Sequence, residues 1–155
     1  MSLWLDSSAL VSLYVPEPRS ERVARVVRRT GEPIVFSQLH ELEVTNALRL
    51  RLFRREAPRP LIDATIARLH EDLREGALHR TAIDWPLTMA KASELANDHS
   101  TRLGSRSLDI LHVAAALLSG SRHFVTADTR QGQLARRVGL RTTRLSKGTT
   151  WAAAW

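Results

Sequence analysis

Four carboxylates stand at places where this chain would be expected to carry apolar residues. Asp6 directly follows Leu3-Trp4-Leu5, and Asp128 follows His123-Phe124-Val125-Thr126 at a distance of two residues. Glu43 lies on an apolar helical stripe with Leu39, Ala47 and Leu50, one turn after the first and one turn before the second. Asp109 is set among Leu108, Ile110, Leu111, Val113 and the run from Ala114 to Leu118. A helix apolar on all sides is a buried one, so Asp109 is expected to be buried, and acids seldom bury without a partner. Each acid alone reads equally as a first-turn residue favoured by the helix dipole, or as half of an internal ion pair with arginine. Four together ask for more. Two carboxylates ~4 Å apart repel by about 4 kcal/mol at an effective dielectric of 20. Protons, arginines or a divalent cation must offset that repulsion. The chain has no cysteine, and a purely oxygen donor set suits Mg²⁺ or Mn²⁺.

Two hydroxyls accompany the acids. Thr126 precedes Asp128 by two residues and Ser8 follows Asp6 by two. Each is placed to bind a metal-held water or a phosphate, or to cap a helix or strand end. His40 and His112 each lie three residues from an acid, on nearly the same helical face. A metal-ligand role is open to them, and hard-cation chemistry favours a place behind the ligands or in the core. Arg106, three residues before Asp109, can pair with that acid or contact phosphate.

The elements that must position these groups alternate in type. Strands are expected over 3–6, 33–36, 78–83, 123–126 and 140–145. Helices are expected after a Ser7 or Ser8 cap, over 17–29, from a Ser37 cap to about Glu56, over 61–75, from Pro86 to near Gly104, over 107–118, and over 128–138. Strand-helix alternation implies a parallel sheet covered on both faces. Ligands of such folds bind at the carboxyl ends of the strands, where strand order reverses. Asp6 and Asp128 lie at such ends, and Glu43 and Asp109 lie in the first turns of helices.

At 155 residues, with 43% hydrophobic and 25% charged residues, the chain has the size and composition of one folded domain. The absence of cysteine fits a reducing compartment. The start carries no basic leader, and the longest apolar stretch, Ile110 to Leu118, is broken by His112 and too short for a bilayer. The expectation is a soluble cytoplasmic protein. The net charge is +7, from 23 basic and 16 acidic residues, and only Lys91 and Lys147 among the basic ones are lysine. This balance points to a polyanionic partner. Arg49, Arg51, Arg54, Arg55 and Arg59 fall within eleven residues, and Arg136, Arg137, Arg141 and Arg144 form a second run. Such runs are solvated faces or backbone-tracking surfaces.

The motifs Leu5-Asp6-Ser7-Ser8-Ala9-Leu10, Glu41-Leu42-Glu43-Val44-Thr45-Asn46-Ala47-Leu48, Leu108-Asp109-Ile110-Leu111-His112-Val113-Ala114-Ala115-Ala116 and Phe124-Val125-Thr126-Ala127-Asp128 resemble the PIN-domain family. More narrowly, they are similar to the VapC-type toxins of bacterial toxin–antitoxin pairs. The match spans nearly the whole chain in the right order. The resemblance implies a parallel α/β/α sandwich, Mg²⁺- or Mn²⁺-dependent endoribonuclease activity on RNA, a homodimer, and a cognate antitoxin as partner. The family's acids carry over to Asp6, Glu43, Asp109 and Asp128, and its strand-end hydroxyl to Thr126. Arg49, Arg51, Arg54, Arg55 and Arg106 are then the candidate RNA contacts. The expected organisation is a PIN-like domain over 1–147 and a tail over 148–155, whose Trp151-Ala152-Ala153-Ala154-Trp155 lies outside the family pattern.

Two other readings touch parts of this pattern. A catalytically silent RNA- or protein-binding module with the same fold is disfavoured by the intact acid set. A phosphoaspartyl enzyme or receiver would want a second acid two residues after Asp6, or paired acids before its acceptor strand and a late lysine. Ser8 stands at the first position, and the others are not seen.

Overall fold

Alternation along a three-residue strand splits the core in two. In β1 (Leu3–Leu5), Leu3 and Leu5 point to one side and Trp4 to the other, and all three are fully buried. The computed structural model describes residues 2–145. On the Leu3 and Leu5 side lie α1 (Ser7–Tyr14), α2 (Ser20–Thr30), α3 (Gln38–Phe53) and α4 (Arg59–Glu75), which bury Leu10, Val23, Val44, Leu48, Ile62 and Leu69. On the Trp4 side lie α5 (Trp85–Leu103), α6 (Ser107–Leu118) and α7 (Thr129–Arg137), which bury Leu95, Ile110, Val113 to Ala116 and Leu134. Between the layers runs one parallel sheet with the remaining strands β2 (Ile34–Phe36), β3 (Leu78–Arg80), β4 (His123–Thr126) and β5 (Arg141–Arg144). The expected three-layer α/β/α sandwich is therefore the observed one.

The strand order is β3-β2-β1-β4-β5. The chain moves outward from β1 through β2 to β3, then returns to lay β4 on the other side of β1. Order reverses between β1 and β4, whose register pairs Leu3 with His123 and Leu5 with Val125. The crevice of an open parallel sheet opens at that reversal, beyond the carboxyl ends of the strands.

Several boundaries differ from expectation for identifiable reasons. The strand expected over 78–83 ends at Arg80, because Asp84 already caps α5 by accepting from Leu87 N at 3.0 Å. The helix expected from Glu17 begins at Ser20, since Pro16 and Pro18 bracket a turn. The segments expected to start at Asp128 and Leu140 start one residue later, Asp128 serving as the cap of α7. The helix around Asp109 is not buried all round, for Leu108 is 52% exposed and Leu118 40%. Asp109 accordingly keeps 14% of its side chain in solvent. Among the described residues no helix is long and apolar enough to cross a membrane.

The basic run on α3 has a structural component. The helix was expected to reach Glu56 but stops at Phe53, where Arg55 takes a left-handed conformation (φ 57°). Arg55 N donates to Leu52 O at 3.0 Å and Glu56 N to Arg51 O at 2.9 Å. That pair of bonds is the Schellman stop, which ordinarily uses glycine because a side chain there costs about 1 kcal/mol. Arg55→Gly should therefore leave stability equal or raised by up to about 1 kcal/mol. A thermal melt checks this, and a clear fall would show that the Arg55 side chain contributes more than its backbone costs.

Candidate functional site

The four acids line one cavity of about 330 Å³ at the β1/β4 reversal, together with Ser7, Ser8, Arg19, Arg106, His112 and Gln131. Asp6 ends β1 and caps α1, its Oδ1 accepting from Ala9 N at 2.7 Å and from Ser8 Oγ at 2.9 Å. The cap is thus the acid itself, rather than Ser7 or Ser8 as expected. Asp6 is only 6% exposed, and these partners are neutral groups. Its Oδ2 lies 2.5 Å from Thr126 Oγ1, which also accepts from Asp128 N at 2.9 Å and touches Gln131 Oε1 at 2.6 Å. The single threonine proton serves one of those two oxygens at a time. Asp128 caps α7 by accepting from Gln131 N at 2.9 Å. Two helix N-termini therefore face the cavity, and both favour negative charge there.

Asp109 and Asp128 share a guanidinium. Arg106 Nε donates to Asp109 at 2.8 Å, and another nitrogen of the same group stands 3.6 Å from Asp128. The arginine pairing open at the sequence level is thus realised here.

Glu43 is held differently. Trp4 Nε1 donates to His112 Nδ1 at 3.2 Å, which leaves the imidazole proton on Nε2 to reach Glu43 Oε2 at 2.5 Å. Ser7 Oγ donates to the same oxygen at 2.6 Å. Burial works to raise the Glu43 pKa, but the hydrogen bonds from His112 and Ser7 outweigh it and hold the carboxyl below its ordinary value. Core tryptophan, histidine and acid thus form one relay from β1 through α6 to α3.

His40 is fully buried between the Trp4 and Phe36 rings, at centroid distances of 4.6 and 5.9 Å. Its Nδ1 accepts from Ser37 N at 3.1 Å, so Nε2–H donates to Leu5 O at 2.8 Å. It braces the strand end that carries Asp6. Burial and the neighbouring His112 push its pKa down to about 3.

The arginines expected near RNA separate. Arg51 and Arg54 line a second cleft that shares Ser7, Ser8, Arg19 and Glu43 with the first. Arg49 pairs with Asp63 at 3.2 Å, Arg55 forms the helix stop, and Arg59 opens α4. Neither Arg49 nor Arg55 lines either cleft. Gln131 and Arg19 were not singled out from the sequence, and Ser7 only as a helix cap. Gln131 had a faint signal as a polar residue three places after a candidate acid, whereas Arg19 had none. The Trp151 to Trp155 tail lies outside the described residues.

A family model described as "PIN domain" matches residues 3–137. The chain belongs to the PIN-domain family. Similar solved structures share this fold at low identity. VapBC2 from Rickettsia felis, bound to a DNA fragment from their promoter, superposes with TM-score 0.64 at 13% identity, covering 93% of this chain and 98% of that one. FitAcB from Neisseria gonorrhoeae gives TM-score 0.61 at 17% identity, with coverage of 90% and 95%. DNA-bound VapBC from Salmonella typhimurium gives TM-score 0.61 at 16% identity, with coverage of 94% and 98%. No curated protein sequence matches the chain.

Proposed function

We propose that this PIN-domain protein is a metal-dependent endoribonuclease, the VapC-type toxin of a toxin–antitoxin pair. The observation that carries the reading is the convergence of Asp6, Glu43, Asp109 and Asp128 on one cavity at the sheet's reversal point.

The donor set fits a hard divalent cation by type and charge. All four donors are carboxylates, and Asp6 is buried among neutral partners. Among the described residues, no three His, Asp or Glu side chains already form a chelating group. Ion binding therefore takes over charge that Arg106 now offsets, rather than filling a finished cage. Asp6, Asp109 and Asp128 would hold Mg²⁺ or Mn²⁺, with Glu43 completing the set. There such an ion would supply a water of lowered pKa and polarise a phosphodiester. Both hydrogen bonds to Glu43 reach Oε2, leaving Oε1 for this work, and its depressed pKa keeps it ionised at neutral pH. Thr126 fixes the Asp6 carboxylate, and Arg106, displaced from the acids, is placed to meet phosphate.

Partner proteins are part of the proposal. The neighbouring solved structures carry VapBC and FitAcB names, which supports a cognate antitoxin. Leu42 and Phe53 on α3 and Leu61 on α4 are exposed, as are Met89 and Leu108, which share an apolar cleft between α5 and α6. These exposed apolar residues would accommodate protein contacts, with an antitoxin and a second copy of the chain. The domain is assigned to 1–147 and the tail to 148–155.

The test is cleavage of mixed structured RNAs by chain freed of antitoxin and contaminating nuclease. Cutting is expected in Mg²⁺ or Mn²⁺, with complete loss in EDTA and recovery on adding metal back. Tight RNA binding with no turnover in either metal would instead mark a silent binding module.

A further inference from the structure

The acid cavity does not end at Glu43. It continues into a cleft of about 360 Å³ between α1, the turn after it and α3, with Val11, Ala47 and Leu50 along its apolar side and Arg51 and Arg54 farther out. Ser7, Ser8, Arg19 and Glu43 line both spaces, so Arg19 stands where they join. Its position is built. Pro16 and Pro18 restrict the turn, Glu17 N donates to Ser20 Oγ at 2.8 Å, and Ser12 Oγ donates to Glu17 Oε2 at 3.0 Å. Arg51 donates to the other oxygen of Glu17. Glu17 thereby ties α1 to α3, and the Arg19 guanidinium lies 3.6 Å from the same carboxylate. The Arg19 side chain is 30% exposed, and that of Arg51 25%.

A recessed acid set faces a problem with a polyanion. The scissile phosphate must come close to Asp6, which is almost wholly buried, and four carboxylates repel it. A cation at the junction offsets this for the neighbouring phosphate, and an apolar wall suits a nucleobase or ribose.

We propose that Arg19 is a positioning residue that seats the RNA backbone across the acid site, and that the flanking nucleotide lies in the α1–α3 cleft with Arg54 at its outer end. This rests on the ribonuclease reading. It assigns the substrate one direction of exit, along α3, and leaves Arg49 and Arg55 without a role in binding.

The test uses the full chain and a short mixed-sequence single-stranded oligoribonucleotide, bound without divalent metal over a range of salt and cleaved with Mn²⁺. Arg19→Ala should weaken binding about tenfold or more and reduce the slope of log K against log salt by ~0.7, with KM raised and kcat within about twofold. Arg54→Ala should act in the same direction. Arg19→Lys should keep the slope while losing part of the affinity, since it preserves charge but not the planar fork. Arg122→Ala, just before the amino end of β4, is the control and should change neither. If the wild-type chain binds and cleaves RNA while Arg19→Ala keeps its affinity and slope, the assignment of Arg19 is overturned and the ribonuclease stands. If the wild-type chain neither binds nor cleaves, both readings fall together.

Discussion

Asp6→Asn should abolish metal-dependent RNA cleavage, a loss on the order of 10²-fold or more, while the protein stays folded. The two effects separate because of how Asp6 is bonded. An asparagine oxygen can still accept from Ala9 N and Ser8 Oγ, as Oδ1 does now. Its amide would donate to Thr126 Oγ1, and the threonine proton would pass wholly to Gln131 Oε1, which it already touches. Every bond survives, and a buried charge is removed. The melting temperature should therefore stay within a few degrees of wild type. Asp6→Ala would also lose activity, but it strips the cap from α1 at a cost of about 1 kcal/mol, or ~2–4 °C for a domain of this size. Cleavage time courses and melts of both variants check the separation. An asparagine variant that cuts RNA at the wild-type rate would remove Asp6 from the site.

Acid should destabilise this protein well before ordinary carboxylate titration is complete. His40 is neutral and fully buried, with its pKa lowered from 6.5 to about 3 by burial and by His112. Between those values the unfolded chain binds a proton that the folded chain refuses, so stability falls as pH falls. Each pH unit inside the window costs about 1.4 kcal/mol, so going from pH 7 to pH 4 costs roughly 3 kcal/mol from this residue alone. Glu43 and His123 act in the same sense. The Glu43 carboxyl is held below its ordinary range, so its contribution is present at neutral pH and fades in acid. His123 is pushed down by burial and by Arg141. The measurement is urea unfolding at several pH values for wild type and His40→Gln. The variant should lose stability at pH 7 but show a slope between pH 4 and 6 that is shallower by nearly one proton. An unchanged slope would assign the protons elsewhere.

Much of the fold was legible because a parallel strand announces itself locally. Leu3-Trp4-Leu5 and His123-Phe124-Val125 are apolar runs bounded by polar residues, and α6 was placed over 107–118 as observed. Its burial was misjudged because apolar periodicity does not reveal how many neighbours a helix will have, and Leu108 and Leu118 face outward. The acids that line the cavity stood out because carboxylates in apolar surroundings are conspicuous in one dimension. What holds them was hidden. The Trp4–His112–Glu43 relay joins residues on three elements. Tryptophan and histidine look like ordinary core residues until the fold sets them side by side. The arginine run divides for the converse reason, since charge density along a sequence does not say which side chains share a surface. Arg49 meets Asp63 on α4, whereas Arg19, far away in sequence, shares a cleft with Arg54.

The return of β4 to the flank of β1 also sets a timetable. Asp6 is made well before the threonine that holds it, which lies 120 residues downstream. Until β4 has left the ribosome, the central strand has one edge unsatisfied, and Asp128 has not joined the cavity. A partly synthesised chain can pack α1 through α4 against β1 and β2, but it contains no assembled acid site. Such long-range closure is slow compared with forming local helices. Any hydrolytic capacity of the chain thus waits until Thr126 and Asp128 have been made and β4 has docked beside β1.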